Sequence, residues 1–268
     1  MSRGWLVAGF LSVGLLVGAS VASAADDKDP LVRARLFYNM GQFDAAIASA
    51  EQARSTPGRA DSADLIVARA CLERFRQKAA PADLSGARDR LRRLNASRFV
   101  STERLEYIVG LGEALYLEEA FGAAGDIFGS VIVHPELLSL DAREHVFDWW
   151  ATALDREARV RPEPDRQAAY QRIRERMQAE LSDRPGSTAA AYWLSAAALG
   201  QGDWQAALSA AQAGWLRAGL SPNGGATLRE DLDRLVLKGI LGERRSTVQV
   251  QETLRSDWEK FKERWKHD

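Results

Sequence analysis

The chain has 268 residues, 36 Lys+Arg against 37 Asp+Glu, and a formal net charge of −1. That balance argues against nucleic acid as the main partner. A single cysteine, Cys71, allows no intramolecular disulfide framework, so stability must come from a packed core.

Residues 1–24 read as a secretory signal peptide. Arg3 precedes an uncharged apolar run, LVAGFLSVGLLVGASVA, and Ala22-Ser23-Ala24 forms a small-x-small cleavage pattern. Cleavage near Ala24-Ala25 leaves about 244 residues and places the protein in the periplasm or outside the cell. The competing reading is an uncleaved anchor, because the run is near the lower length for a membrane span. No later stretch is long and apolar enough to span, so no stable span is expected after cleavage.

From residue 30 onward the pattern is helical. Ala, Leu, Arg, Glu and Gln dominate, and apolar residues recur at spacings of three and four, as in Ile108, Leu111, Gly112 and Leu115. Breaks fall at Pro57-Gly58, Pro81, Pro135, Pro162 to Pro164, Pro185-Gly186 and Pro222 to Gly225. Ser101-Thr102-Glu103 and Ser187-Thr188 read as helix starts. The spacing predicts about twelve helices in antiparallel pairs and no strand.

Three segments align: NMGQFDAAIASAEQA (39–53), LEEAFGAAGDIFGSV (117–131) and GQGDWQAALSAAQAG (200–214). Each has a turn, an aromatic (Phe43, Phe121, Trp204), and Ala three residues later (Ala46, Ala124, Ala207). The clearest copy, 108–135, adds Phe128 on the second helix and closes at Pro135. On these residues the chain resembles the tetratricopeptide repeat family, as a degenerate exported bacterial-type member. Two longer units also fit. One places Leu65, Ala68 and Leu72 opposite Ala87, Leu91 and Leu94; the other places Phe147, Trp150, Ala151 and Leu154 opposite Ala169, Ile173 and Met177.

The resemblance implies an all-α, right-handed α-solenoid of about five helical hairpins over residues 25–218. Residues 219–268 form a C-terminal cap of two helices. One amphipathic hairpin cannot bury its apolar face alone, whereas stacked hairpins share a continuous core. In the last helix Val250, Leu254, Trp258, Phe261 and Trp265 make an apolar stripe, which reads as a cap on the final repeat or as a partner-docking face.

The chemistry-bearing patterns are sparse. GLGEAL at 110–115 lacks the spacing of a phosphate loop, and Gly110 and Gly112 read as close-packing positions. His134, His145 and His267 form no pair at metal-binding spacing. There is no nucleophile elbow. No catalytic residue, cofactor or metal is assigned. The first helices of the hairpins are expected to line a concave, partner-binding face. It carries Arg35, Tyr38 and Asn39, then Glu73 and Arg74, then Glu106, Glu113 and Tyr116. His145, Asp148, Thr152, Asp155 and Arg156 follow, and then Tyr192. Trp149 and Trp193 occupy equivalent positions of adjacent repeats and could form an aromatic ridge, whereas Trp150 is expected in the core. Acidic residues outnumber basic ones in the middle of this face, which suits an extended peptide with basic or amide groups.

The expected function is a non-catalytic scaffold of the periplasm or cell envelope that binds a protein or peptide, in envelope assembly or export. The alternatives are a cell-wall glycan-acting enzyme or its accessory subunit, working through Glu113 or Asp155, and a small-ligand-binding protein using the aromatics at 149, 150, 192 and 193.

Overall fold

The computed structural model describes residues 29–221, 224–242 and 248–265, the last span with side chains from residue 252 onward. The expected signal segment with its cleavage site, the side chain of Val250, and His267 lie outside the described residues. Among the described residues the regular structure is entirely helical, with twelve α-helices and no strand. The chain divides into two compact units, the first reaching Val146 and the second starting at Phe147.

The first unit contains α1 (Pro30–Asn39), α2 (Phe43–Arg54), α3 (Ala60–Lys78), α4 (Pro81–Leu91), α5 (Ser101–Leu117) and α6 (Phe121–Ile132), and the start of α7 (Leu140–Ala158). Local chemistry sets several starts. Asp29 caps α1 by accepting from Leu31 N at 3.0 Å, and Pro30 stands in the first turn, where a missing N–H costs nothing. The expected cap Ser101 lies inside the first turn of α5, and extended Val100 takes the N-cap position. The chain before it is held instead by Arg104, whose guanidinium donates to the Ala96 and Phe99 carbonyls at 3.3 Å each.

Three interhelix turns repeat hydrogen bond for hydrogen bond. After α1, Gly41 N donates to Tyr38 O and Gln42 N to Phe37 O; after α5, Glu119 N donates to Tyr116 O and Ala120 N to Leu115 O. In the second unit Gly202 N donates to Leu199 O and Asp203 N to Ala198 O. These paired bonds satisfy the last carbonyls of the first helix and require a left-handed residue at their centre. Gly41 (φ 72°), Glu119 (φ 62°) and Gly202 (φ 81°) supply it. The aromatic that follows packs back on the helix just ended, with Tyr38–Phe43 centroids at 5.7 Å and Tyr116–Phe121 at 5.5 Å.

The small residues named in the sequence carry the close contacts. Ala46, Ala87, Ala124 and Ala207 are fully buried. A Cβ on Gly112 would come within 2.6 Å of the Phe128 ring, so α5 and α6 approach each other through that glycine. α3 is the hub of the first unit, touching α1, α2, α4 and α5. Leu65, Leu72, Ala87, Leu91, Phe99 and Ala114 belong to its core.

The second unit holds the rest of α7, then α8 (Glu163–Asp183), α9 (Thr188–Gly200), α10 (Trp204–Arg217), α11 (Ala226–Arg234) and α12 (Val248–Arg264). A π-helical turn, Leu235–Ile240, extends α11. Ser187 caps α9 as expected, accepting from Ala190 N at 3.3 Å. α8 keeps the expected register over its central turns and departs from it only at its N-terminal end. Ile173 and Met177 are buried, but Tyr170 rather than Ala169 is the buried residue of the preceding turn. The reason is steric and polar: Gly200, lacking a Cβ that would lie 2.4 Å from the Tyr170 ring, makes room for it, and Asp155 accepts its hydroxyl.

The non-glycine at the centre of the α5–α6 turn gives a direct test. A left-handed L-residue costs about 1–2 kcal/mol, partly offset by about 0.4–1 kcal/mol of extra unfolded-state entropy when Gly replaces it. Glu119→Gly is expected to gain about 0.5–1 kcal/mol in chemical denaturation, and Gly202→Ala, whose Cβ meets nothing within 4 Å, to lose about 1 kcal/mol through strain alone.

Candidate functional site

The polar residues expected on the concave face fall into two groups. In the first unit, Arg35 and Tyr38 of α1, Glu73 of α3, and Glu106 and Glu113 of α5 come together, and all but Arg35 are buried. Three residues not singled out in the sequence complete the group: Arg69, Arg76 and Glu103. Arg69, 7% exposed, lays its guanidinium carbon 4.5 Å from the Tyr38 ring centroid and reaches Glu106 at 3.2 Å. Arg35 pairs with Glu103 and, at 3.8 Å, with Glu106. Arg76 lies between two acids, 3.0 Å from Glu73 and 3.5 Å from Glu113. The signal was present in the spacing. Arg69, Glu73 and Arg76 share one face of α3, and Glu103, Glu106 and Glu113 share one face of α5, with opposite net sign.

This group is a row of mutually paired charges, not an open polar groove. Burying such charges gives little net stability, but removing one partner leaves the other uncompensated at a cost of about 3–5 kcal/mol. Asn39, Arg74 and Tyr116 stand apart from the row. Asn39 is exposed; Arg74 bonds Asp44 at 3.0 Å and Asp83 at 2.8 Å; Tyr116 packs on Phe121.

Glu113, 5% exposed, is the most perturbed acid of the row. Burial, followed by the charge of Glu73, pushes its carboxyl from the ordinary 4.5 up to about 8, against the pull of Arg76 and Arg69. Burial likewise pushes the Tyr38 hydroxyl up.

In the second unit the residues of α7 meet those of α8 and α9. Asp148, exposed, accepts the Trp193 indole N–H at 2.7 Å. Asp155, buried, accepts the Tyr170 hydroxyl at 2.9 Å and Arg159 at 2.6 Å. Thr152 is buried between them in sequence, and Arg156 is half-buried. Tyr192, half-buried, stands edge-on to Trp193 with centroids at 5.5 Å. Burial, then Asp231, Asp148 and Asp155, push its hydroxyl up to about 12, with Arg234 opposing. Asp231, which the sequence does not place on the concave face, is half-buried and 3.0 Å from Arg234. Of the two tryptophans expected in a ridge, Trp193 is 5% exposed and only Trp149 keeps appreciable surface; Trp150 is buried as expected. His145, in the first unit, is half-buried with Nδ1 2.7 Å from the Asp141 carbonyl oxygen.

Among the described residues no group of three or more His, Cys, Asp or Glu is placed to hold a metal ion, and no helix is long and apolar enough to cross a membrane. Cys71 is buried, and burial pushes its thiol up, away from the reactive thiolate.

A proton held by Glu113 makes stability pH-dependent. With the folded value raised, its contribution is full below 4.5 and drains away as pH rises through about 8. Urea unfolding of wild type and Glu113→Gln at pH 5 and pH 8.5 is expected to show the variant gaining on wild type by more than about 1.4 kcal/mol at the higher pH. A difference independent of pH would place the proton elsewhere.

No family model matches the chain, and no curated protein or solved structure matches it.

Proposed function

We propose that the chain is a tetratricopeptide-like stack of helical hairpins that acts without catalysis, binding a protein or extended peptide in the periplasm or cell envelope. The observation that carries this reading is the threefold repetition of one turn at Gly41, Glu119 and Gly202, with the same paired hydrogen bonds each time. Repeated hairpins of this kind present their first helices side by side, and such rows serve as extended recognition surfaces. The acids expected for glycan chemistry have internal partners instead: Arg76 at Glu113, and Tyr170 and Arg159 at Asp155.

The buried pairing in the first unit shifts the binding face to the second. Around Tyr192, Asp148 and Asp231 outweigh Arg234, so the field there is negative beside an aromatic ring. That combination suits a partner's Lys or Arg side chain, which gains from both the carboxylates and the ring.

Replacing Tyr192 by a photo-crosslinking residue in the native envelope is expected to give a discrete protein adduct. The same crosslinker at Arg172, exposed on α8, is expected to give none, and adding Asp231→Lys to the first chain is expected to remove the adduct. Identical adducts from both positions, or none together with turnover of cell-wall glycan by the purified protein, would contradict the reading.

A further inference from the structure

Among the described residues α12 meets the second unit chiefly through Trp258 and Lys262. Of its described side chains only Trp258 is buried, at 1% exposure; Leu254, Phe261 and Lys262 are half-buried, and Trp265 is 46% exposed. Trp258 stands edge-on to Trp215 of α10, with centroids at 5.6 Å and planes at 81°, and stacks on Phe261 at 5.6 Å. Its indole N–H donates to Asp233 Oδ1 of α11 at 2.9 Å. Lys262 Nζ donates to the same oxygen at 2.6 Å and lies 5.7 Å from the Trp215 centroid. The Arg229 guanidinium lies 5.8 Å from that centroid.

This contact has the anatomy of an association interface rather than of a core. One desolvated tryptophan is surrounded by charged and half-exposed groups, the arrangement that concentrates binding energy in protein–protein hot spots. α3, by contrast, buries nearly every residue from Leu65 to Glu73. A helix of this length is marginal by itself in water. One buried indole with its hydrogen bond, the partly exposed Lys262–Asp233 pair and the half-buried Phe261 together contribute only a few kcal/mol. Docked and released forms therefore lie close enough in free energy for a competing helix to exchange them.

We propose that Trp215, Arg229 and Asp233 form a helix-docking site, that α12 is its displaceable occupant, and that the partner is an amphipathic helix presenting an aromatic residue and a Lys or Arg four positions later. The spacing follows from the site, where one carboxylate oxygen receives both the indole N–H of Trp258 and the ammonium of Lys262. The proposal deepens the binding function above and rests on it for the existence of a protein partner.

The probe is a labelled peptide of residues 248–265, titrated by fluorescence anisotropy into the full wild-type chain and into full-length Trp258→Ala. Removing the tethered competitor is expected to make the variant bind the peptide at least about tenfold more tightly than wild type does. A peptide carrying Trp258→Ala is expected not to bind, and one carrying Lys262→Glu to bind about tenfold more weakly or worse. Equal binding by the two chains, or binding by neither, would overturn the proposal. So would a loss of far-ultraviolet helicity in the Trp258→Ala chain well beyond that of α12, because α12 would then belong to the core. The crosslink at residue 192 does not depend on this peptide, so the two readings fail separately.

Discussion

A guanidinium buried on a helix that neighbours enclose must find its counter-charge on one of them, and Arg69 finds it on α5. Its ion pair with Glu106 and its guanidinium–ring contact with Tyr38 tie α3 to α5 and α1. Arg35 repeats the same logic at Glu103, and Arg76 pairs with Glu73 on α3 itself. Apolar packing tolerates small slips, because hydrophobic attraction is non-directional. Paired buried charges do not, because a slip strands an ion without its partner. On this account the row sets the register of α1, α3 and α5, and the apolar packing of the first unit fills in around that register.

The same constraint bears on function. Side chains that neutralise one another inside the first unit are not available to a ligand, so the face best suited to recognition is the negative, aromatic surface around Tyr192 in the second. There too part of the polar inventory is structural, since Asp155 holds Tyr170 and Asp148 holds Trp193. What remains is a field, with Asp231 and Asp148 beside a half-buried ring, rather than a set of vacant hydrogen-bond groups. On the proposed reading such a surface selects by charge and ring contact, as a binder of flexible peptide would, rather than by the shaped cavity a small molecule needs.

The hairpins were legible in the sequence because their signals are local. A turn residue, an aromatic two positions on and an alanine three further on report steric requirements that each segment meets alone, and Ala46, Ala124 and Ala207 are buried accordingly. The complementary spacing of these charges was in the sequence but their burial was not legible, because polarity along a helix predicts exposure only when one face of that helix meets water. α3 has no such face over much of its length, so Glu73 read as a groove residue although it lies inside, as Arg69 does. The burial of Tyr170 on α8 was missed for a related reason. Tyr170 is buried because Gly200, on the next helix, leaves space for its ring, and that fact belongs to two helices together. Trp193 likewise read as a surface aromatic until its acceptor on α7 was in view.

The interlocking role of the charge row is tested most directly by a double-mutant cycle of Arg69→Met and Glu106→Gln, read by chemical denaturation. Each single change is expected to lose about 3–5 kcal/mol because it strands the opposite charge. The double variant is expected to lose far less than the sum, with a coupling above about 2 kcal/mol. Losses that add to within about 0.5 kcal/mol would show that the two residues are energetically independent, and that the row does not hold the first unit in register.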